Sequence, residues 1–180
     1  MEKLETYLHP KIKHNFQHHK KIFMGDNLKL EFERKFLLLK KPVLKADSIA
    51  RIEQHYFGDE RIRRKSEEGK ADVFYHTVKK NLRPGVNSEN EKVISRDDYY
   101  SYLEKSKYFI IKYRHYYFIG DVKWEVDIFE DIDLVVAEVE YPREDYKLKI
   151  PKFIEDVTIM EVTKFREFSN KNIAKKKITY

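Results

Sequence analysis

The sequence predicts an α+β fold in which strands gather round a charged interior and helices occupy stretches between and after them. Three observations carry this expectation. Segment after segment alternates apolar and charged residues with the two-residue period of a strand. The charges on the alternating face are sorted by sign from strand to strand, and the stretches between and after these segments carry helix-start signals.

The first segment, Leu28 to Leu39, sets the pattern: Glu31, Glu33 and Lys35 share one face, Phe32, Arg34 and Phe36 the other. For a single strand a solvated outer face would account for those charges. The same spacing then recurs in Arg61 and Arg63, Thr77 and Lys79, Glu89 and Glu91, Lys112 and Arg114, Glu125 and Asp127, and Glu138 and Glu140. A wet sheet face carries mixed side chains, whereas here some strands present only anions and others only cations. Faces sorted in this way converge on an interior.

In chain order, Leu4, Leu8, Ile12, Phe16 and Phe23 recur at near-helical spacing, with Pro10 suited to a first turn, so residues 1–27 are expected to form a helical extension. His14 and His18 lie four apart within it, without a third ligand, as a surface pair does. After the first strand, Pro42 to Arg51 reads as a turn and a short helix. Strands follow near Gln54 to Phe57, Arg61 to Lys65 and Asp72 to Lys80. Asn81 to Ser88, with Pro84-Gly85, reads as a turn. A short strand holding Glu89 and Glu91 leads into a helix opened by Ser95 or Asp97, running to about Lys105 with Tyr99, Tyr102 and Leu103 buried. Three strands occupy Tyr108 to Ile119, Val122 to Phe129 and Leu134 to Tyr141, and the chain from about Ile154 is expected to be helical.

Composition bounds the function. A chain of 180 residues with 41% hydrophobic content can bury one core. It has no apolar run long enough to span a bilayer and no charged-then-apolar leader, so a cytoplasmic protein with no membrane partner is expected. The absence of cysteine excludes disulfides, thiolate ligands and cysteine nucleophiles. A net charge of +6 suits an anionic partner but also an ordinary soluble surface, and no nucleic-acid partner is expected.

With its blocks in this order, the chain resembles the CYTH or triphosphate tunnel metalloenzyme family. The family signature Glu-x-Glu-x-Lys is matched by Glu31, Glu33 and Lys35. Later matches are Ile52 to Tyr56, Arg61-Ile62-Arg63, Thr77-Val78-Lys79, Lys112-Tyr113-Arg114, Trp124 to Phe129, Leu134 to Glu140 and Phe168 to Ala174. The resemblance covers residues 28–176 and implies a closed, eight-stranded antiparallel β-barrel tunnel flanked by helices, with residues 28–180 as the tunnel domain. Residues Val162 to Ala174 are then expected near one mouth, and the many aromatic residues supply outer faces that pack against helices.

Counting inward parity gives the cations Lys35, Arg61, Arg63, Lys79, Lys112 and Arg114 against the anions Glu31, Glu33, Glu89, Glu91, Asp127, Glu138 and Glu140. Buried charges cost several kcal/mol each unless paired, so neither set could be kept inside alone. Divalent cations added at the carboxylates would leave an interior suited to a compact polyanion such as a triphosphate, which Arg grips by a fork and Lys by a point charge. Oxygen donors alone point to Mg²⁺ or Mn²⁺.

By resemblance, Glu31 and Glu33 meet Glu138 and Glu140 where the barrel closes to form the principal metal site, with Asp127 completing it. Glu89 and Glu91 match the acidic mid-chain pair less closely and can position water instead. The implied activity is hydrolysis of the terminal phosphate of a triphosphate or nucleoside triphosphate, with inorganic triphosphate the leading substrate. Class IV adenylate cyclases and thiamine or RNA triphosphatases share the scaffold, and a non-catalytic polyphosphate or nucleic-acid binder is the reading of another class. Lys171 is either a substrate contact at the mouth or a surface lysine; Trp124 reads as outer wall, and His76 and His115 fall on the parity opposite the charged face. The oligomeric state, a homodimer among the options, is not legible.

Overall fold

The computed structural model describes residues 29–177, and the expectations for residues 1–27, including His14 and His18, lie outside them. The strands are β1 (Lys29–Leu38), β2 (Ser48–Phe57), β3 (Glu60–Glu67), β4 (Val73–Arg83) and β5 (Val86–Ile94), then β6 (Tyr108–Ile119), β7 (Val122–Phe129), β8 (Val135–Tyr141) and β9 (Thr158–Glu161). Helix α1 (Arg96–Leu103) follows β5, the short α2 (Lys152–Glu155) precedes β9, and α3 (Asn170–Lys176) ends the described chain after a 3₁₀ turn at Arg166–Phe168.

The sheet closes. Neighbours run β5, β4, β3, β2, β6, β7, β8, β1, and β1 pairs back onto β5, so eight antiparallel strands form a barrel as expected, with β9 added outside the ring on β1. One edge of β1 is divided: Lys29 to Phe32 pair with β5, whereas Phe36 to Leu38 pair with β9. At the fork the Glu33 amide donates to the Gly85 carbonyl at 2.9 Å and the Val162 amide to the Lys35 carbonyl at 2.8 Å. Gly85 has φ +74°, and a Cβ there would meet the Glu33 carbonyl oxygen at 2.8 Å, so only glycine fits this turn.

The largest apolar cluster lies outside the ring. Phe36, Trp124, Val126, Ala137, Val139 and Tyr117 on the outer faces of β1 and β6–β8 pack with Ile154 of α2 and Val157. Across the barrel, α1 lays Tyr99 on Ile62 and Phe74, its N-terminus capped by Ser95, whose hydroxyl accepts from the Asp98 amide at 3.0 Å. Inside, Tyr56, Ile110, Phe129 and Val136 receive Ile173 and Ala174 of α3, which fill part of the bore. Among the described residues no helix is long and apolar enough to cross a membrane.

Three expectations are corrected. Pro42 to Arg51 holds no helix: β2 begins at Ser48, because Ser48 to Arg51 pair with Tyr113 to Tyr116 of β6. Asn81 to Ser88 is mostly strand, leaving Pro84-Gly85 as the turn, because Asn81 pairs with Asn87 across β4 and β5. The segment after Ile154 is not wholly helical, since β9 gains its hydrogen bonds from β1.

Candidate active site

The bore contains a cavity of about 910 Å³. Residues of all eight barrel strands line it, joined by residues of the 162–175 segment. Of the expected site residues, Glu31, Glu33, Lys35, Arg61, Arg63, Lys79, Glu89, Glu91, Arg114, Glu138, Glu140 and Lys171 line it together. Lys112 and Asp127 do not.

Lys79 is the hub of the open part: its ammonium lies 2.9 Å from Glu31, 3.2 Å from Glu33 and 3.4 Å from Glu89. Burial alone would lower its pKa, but the surrounding carboxylates, Glu33 first, raise it far above that of an ordinary lysine. Beside it, the Arg63 guanidinium donates to both oxygens of Glu91 at 2.8 and 2.9 Å. Arg61 donates to Glu91 at 3.2 Å and to the Thr77 hydroxyl at 3.1 Å, and that hydroxyl donates to Glu91 at 2.7 Å. Lys35 and Glu138, opposite one another in the β1–β8 register, stand 3.4 Å apart.

The two β1 carboxyls behave differently from their neighbours. Burial, and then the charge of Glu138, push Glu33 up to about 7, and burial likewise raises Glu31. Burial also opposes ionisation of Glu138 and Glu89. Lys35 and Lys79 nonetheless hold Glu138 well below the usual carboxylate range, while Arg61 and Lys79 lower Glu89. Each β1 carboxyl thus shares a hydrogen bond with a carboxylate on an adjoining strand, Glu33 with Glu138 of β8 and Glu31 with Glu89 of β5.

Deeper in the bore, Asp127 is 2% exposed and both its oxygens are engaged. Arg114 donates to them from Nε at 2.7 Å and Nη2 at 2.8 Å, and Lys112 forms a third ion pair. Lys112, fully buried, also donates to Asn170 of α3 at 3.1 Å, and burial pulls its pKa down to about 8. Both residues have inward parity. Lys112 lies over the Phe129 ring, 5.6 Å from its centroid, and its bond to Asn170 ties the helix to the barrel. Lys171 stands at the mouth, 3.0 Å from Asp59.

The sequence did not single out Tyr56, Asn81, Asn87 or Thr163 as lining residues. Parity in β2 was a usable signal for Tyr56, which faces Arg61 across the β2–β3 pair. Nothing local marks Thr163, whose hydroxyl accepts from the Lys35 amide at 3.0 Å. Three buried donors of lining residues lack a protein acceptor: Nε of Arg61, Nε of Arg63 and Nδ2 of Asn87. No group of three or more acidic or histidine side chains among the described residues is gathered tightly enough to hold a metal ion. Lys79 sits among the carboxylates instead.

Fold and site together define a closed antiparallel barrel with a charge-lined bore, a tunnel protein. Solved structures share this architecture. The inorganic triphosphatase NE1496 matches with 22% identity and a TM-score of 0.53 over 83% of this chain and 97% of that one. The PH1819 protein of Pyrococcus horikoshii matches with 20% identity and a TM-score of 0.53 over 64% and 80%. A proposed adenylate cyclase of Bacillus halodurans, bh2851, matches with 16% identity and a TM-score of 0.51 over 67% and 84%. The chain therefore has the tunnel fold that its motifs resemble. No family model and no curated protein matches it.

Proposed function

We propose that the protein is a divalent-metal-dependent triphosphatase of the triphosphate tunnel family, with inorganic triphosphate as its substrate. The observation that carries this is the cavity wall itself. Lys35, Arg61, Arg63, Lys79 and Arg114 converge on one space, and the lining donors without a partner call for a ligand rich in acceptors and poor in donors. A linear triphosphate is such a ligand.

The donors are oxygens of the type a hard cation takes, although among the described residues no three of them are gathered round one point while Lys79 sits among them. Glu31 and Glu33 on β1 are pushed above the usual carboxylate range beside carboxylates of the adjoining strands, so a cation with oxygen ligands would relieve that crowding and bring Glu138 and Glu140 in with them. Mg²⁺ or Mn²⁺ there would supply charge neutralisation and a bound water of lowered pKa. Lys79 must leave the carboxylates for that to happen, and a phosphate oxygen offers it a new partner. Arg61 and Arg63 exchange Glu91 for phosphate oxygens by the same logic, freeing Glu91 and Glu89 to orient water. Attack on the terminal phosphorus forms a P–O bond to water as the bridging P–O bond breaks, leaving orthophosphate and diphosphate.

The test is phosphate release from triphosphate, ATP, thiamine triphosphate and longer polyphosphates, with Mg²⁺ or Mn²⁺ and with chelator. The expected result is metal-dependent release, fastest from triphosphate. Cyclic nucleotide from ATP would identify a cyclase instead, and salt-sensitive binding without release would identify a binding module.

A further inference from the structure

We infer that Asn87 is a substrate-binding residue whose side-chain amide gives a phosphate oxygen a neutral hydrogen bond; this rests on the triphosphatase reading above. Asn87 stands on β5 opposite Glu31 of β1 and Asn81 of β4, so all three share the inner face. It lines the cavity and is only 3% exposed. Its Oδ1 accepts from Asn81 Nδ2 at 3.1 Å, and Asn81 Nδ2 also donates to the Arg83 carbonyl at 3.1 Å. These two bonds fix the orientation of both amides, since turning Asn87 over would set one NH₂ group against another. Its Nδ2 is thereby committed away from Asn81, and there it has no acceptor.

A buried donor without a partner is costly, so its place in a tunnel wall calls for an acceptor from outside the chain. The cross-strand neighbour Glu31 is engaged by Lys79 at 2.9 Å. The unmatched Nε atoms of Arg61 and Arg63 make the same demand within the same wall. Unlike those arginines, the amide neither attracts the bore's carboxylates nor titrates. It can select an acceptor-only group without adding charge. A carboxylate of the same shape would repel the ligand and stand beside Glu31 and Glu89.

The experiment compares wild type, Asn87→Ala, Asn87→Asp and Arg63→Ala by Mg²⁺-dependent phosphate release from inorganic triphosphate and by thermal melting with and without triphosphate. Loss of one hydrogen bond to a charged ligand predicts that Asn87→Ala raises KM about tenfold. Its kcat should stay within about twofold of wild type, as for binding shared by ground and transition states. Its ligand-free Tm should hold while the triphosphate-induced rise in Tm shrinks, and Asn87→Asp, isosteric and so able to carry the test if the alanine variant misfolds, should lose more. An unchanged KM in both Asn87 variants, with Arg63→Ala impaired, overturns the assignment and leaves the triphosphatase reading standing, as expected if a buried water satisfies the amide. A wild-type protein that neither releases phosphate nor gains Tm with triphosphate overturns both.

Discussion

The bore holds two charge networks, one round Lys79 and one round Asp127, that sequence parity treats alike and the fold does not. Around Lys79, 30% exposed, three carboxylates face an open cavity and their charges outnumber the cation. Around Asp127, 2% exposed, Lys112 and Arg114 converge on a carboxylate that does not line the cavity; Lys112 binds α3 through Asn170, and Arg114 reaches on to Glu125 and the cavity wall. The first network is unbalanced and reachable, which is what exchange with a ligand requires. The second is shut off from the cavity at Lys112 and Asp127, so those two charges serve the architecture. Position along the strand, not the face on which a residue sits, decides which use a buried charge has.

The comparison breaks most easily at its closed end. Asp127→Ala leaves Lys112 buried without its counter-ion and Arg114 with Glu125 alone, and the expected loss is about 3–5 kcal/mol of unfolding free energy by denaturant titration. A stable variant would move Asp127 into the ligand-exchanging class. At the open end, Glu33→Gln should keep the fold and cut metal-dependent turnover by roughly 100-fold or more, since even outer-shell changes around a metal cost about 10–100-fold. Glu31→Gln should behave likewise, and normal rates in either would remove it from the metal site.

Arg63→Ala should weaken triphosphate binding by about 1.5–3 kcal/mol in calorimetry, the worth of one charge-assisted contact. Gly85→Ala forces a side chain into a left-handed turn against the Glu33 carbonyl and should cost about 1–3 kcal/mol of stability, with a matching fall in Tm. The last effect is pH-linked. Because the folded state raises Glu33 from 4.5 to about 7, its proton favours folding. That contribution is complete below pH 4.5 and is lost as pH rises to 7. Glu33→Gln should flatten stability across that window, and metal affinity of the wild type should rise over the same interval as the competing proton leaves.

Much of the fold was legible where alternation runs long. The segments Tyr108 to Ile119 and Val122 to Phe129 coincide with β6 and β7: the second alternates from Val122 to Asp127, and the first is a long aromatic and β-branched run with Lys112 and Arg114 two apart. Strands stabilised by partners alone were misread: Thr158 to Glu161 is too short to show a period, and Asn81 to Ser88 carries turn-forming residues that cross-strand pairing overrides. The site was legible to the same extent and for the same reason. Parity placed Glu31, Glu33, Arg61, Arg63 and Glu138 on the cavity wall. It also pointed Lys112 and Asp127 inward, but depth along the bore depends on the stagger between strands and on where α3 docks, which no local pattern encodes.

The divided edge of β1 also governs how the barrel opens. Its pairing with β5 spans four residues, Lys29 to Phe32, whereas every other pair of neighbouring barrel strands is matched over six or more. Local unfolding begins where the fewest backbone bonds must break, so amides of this seam should exchange with solvent ahead of those of β6 and β7. Glu31 lies on that seam and Glu33 at its edge. A cation bridging them to the neighbouring strands would act as a clasp, and slower amide exchange at Lys29 to Phe32 and Val86 to Glu89 would register its arrival before any chemistry is measured.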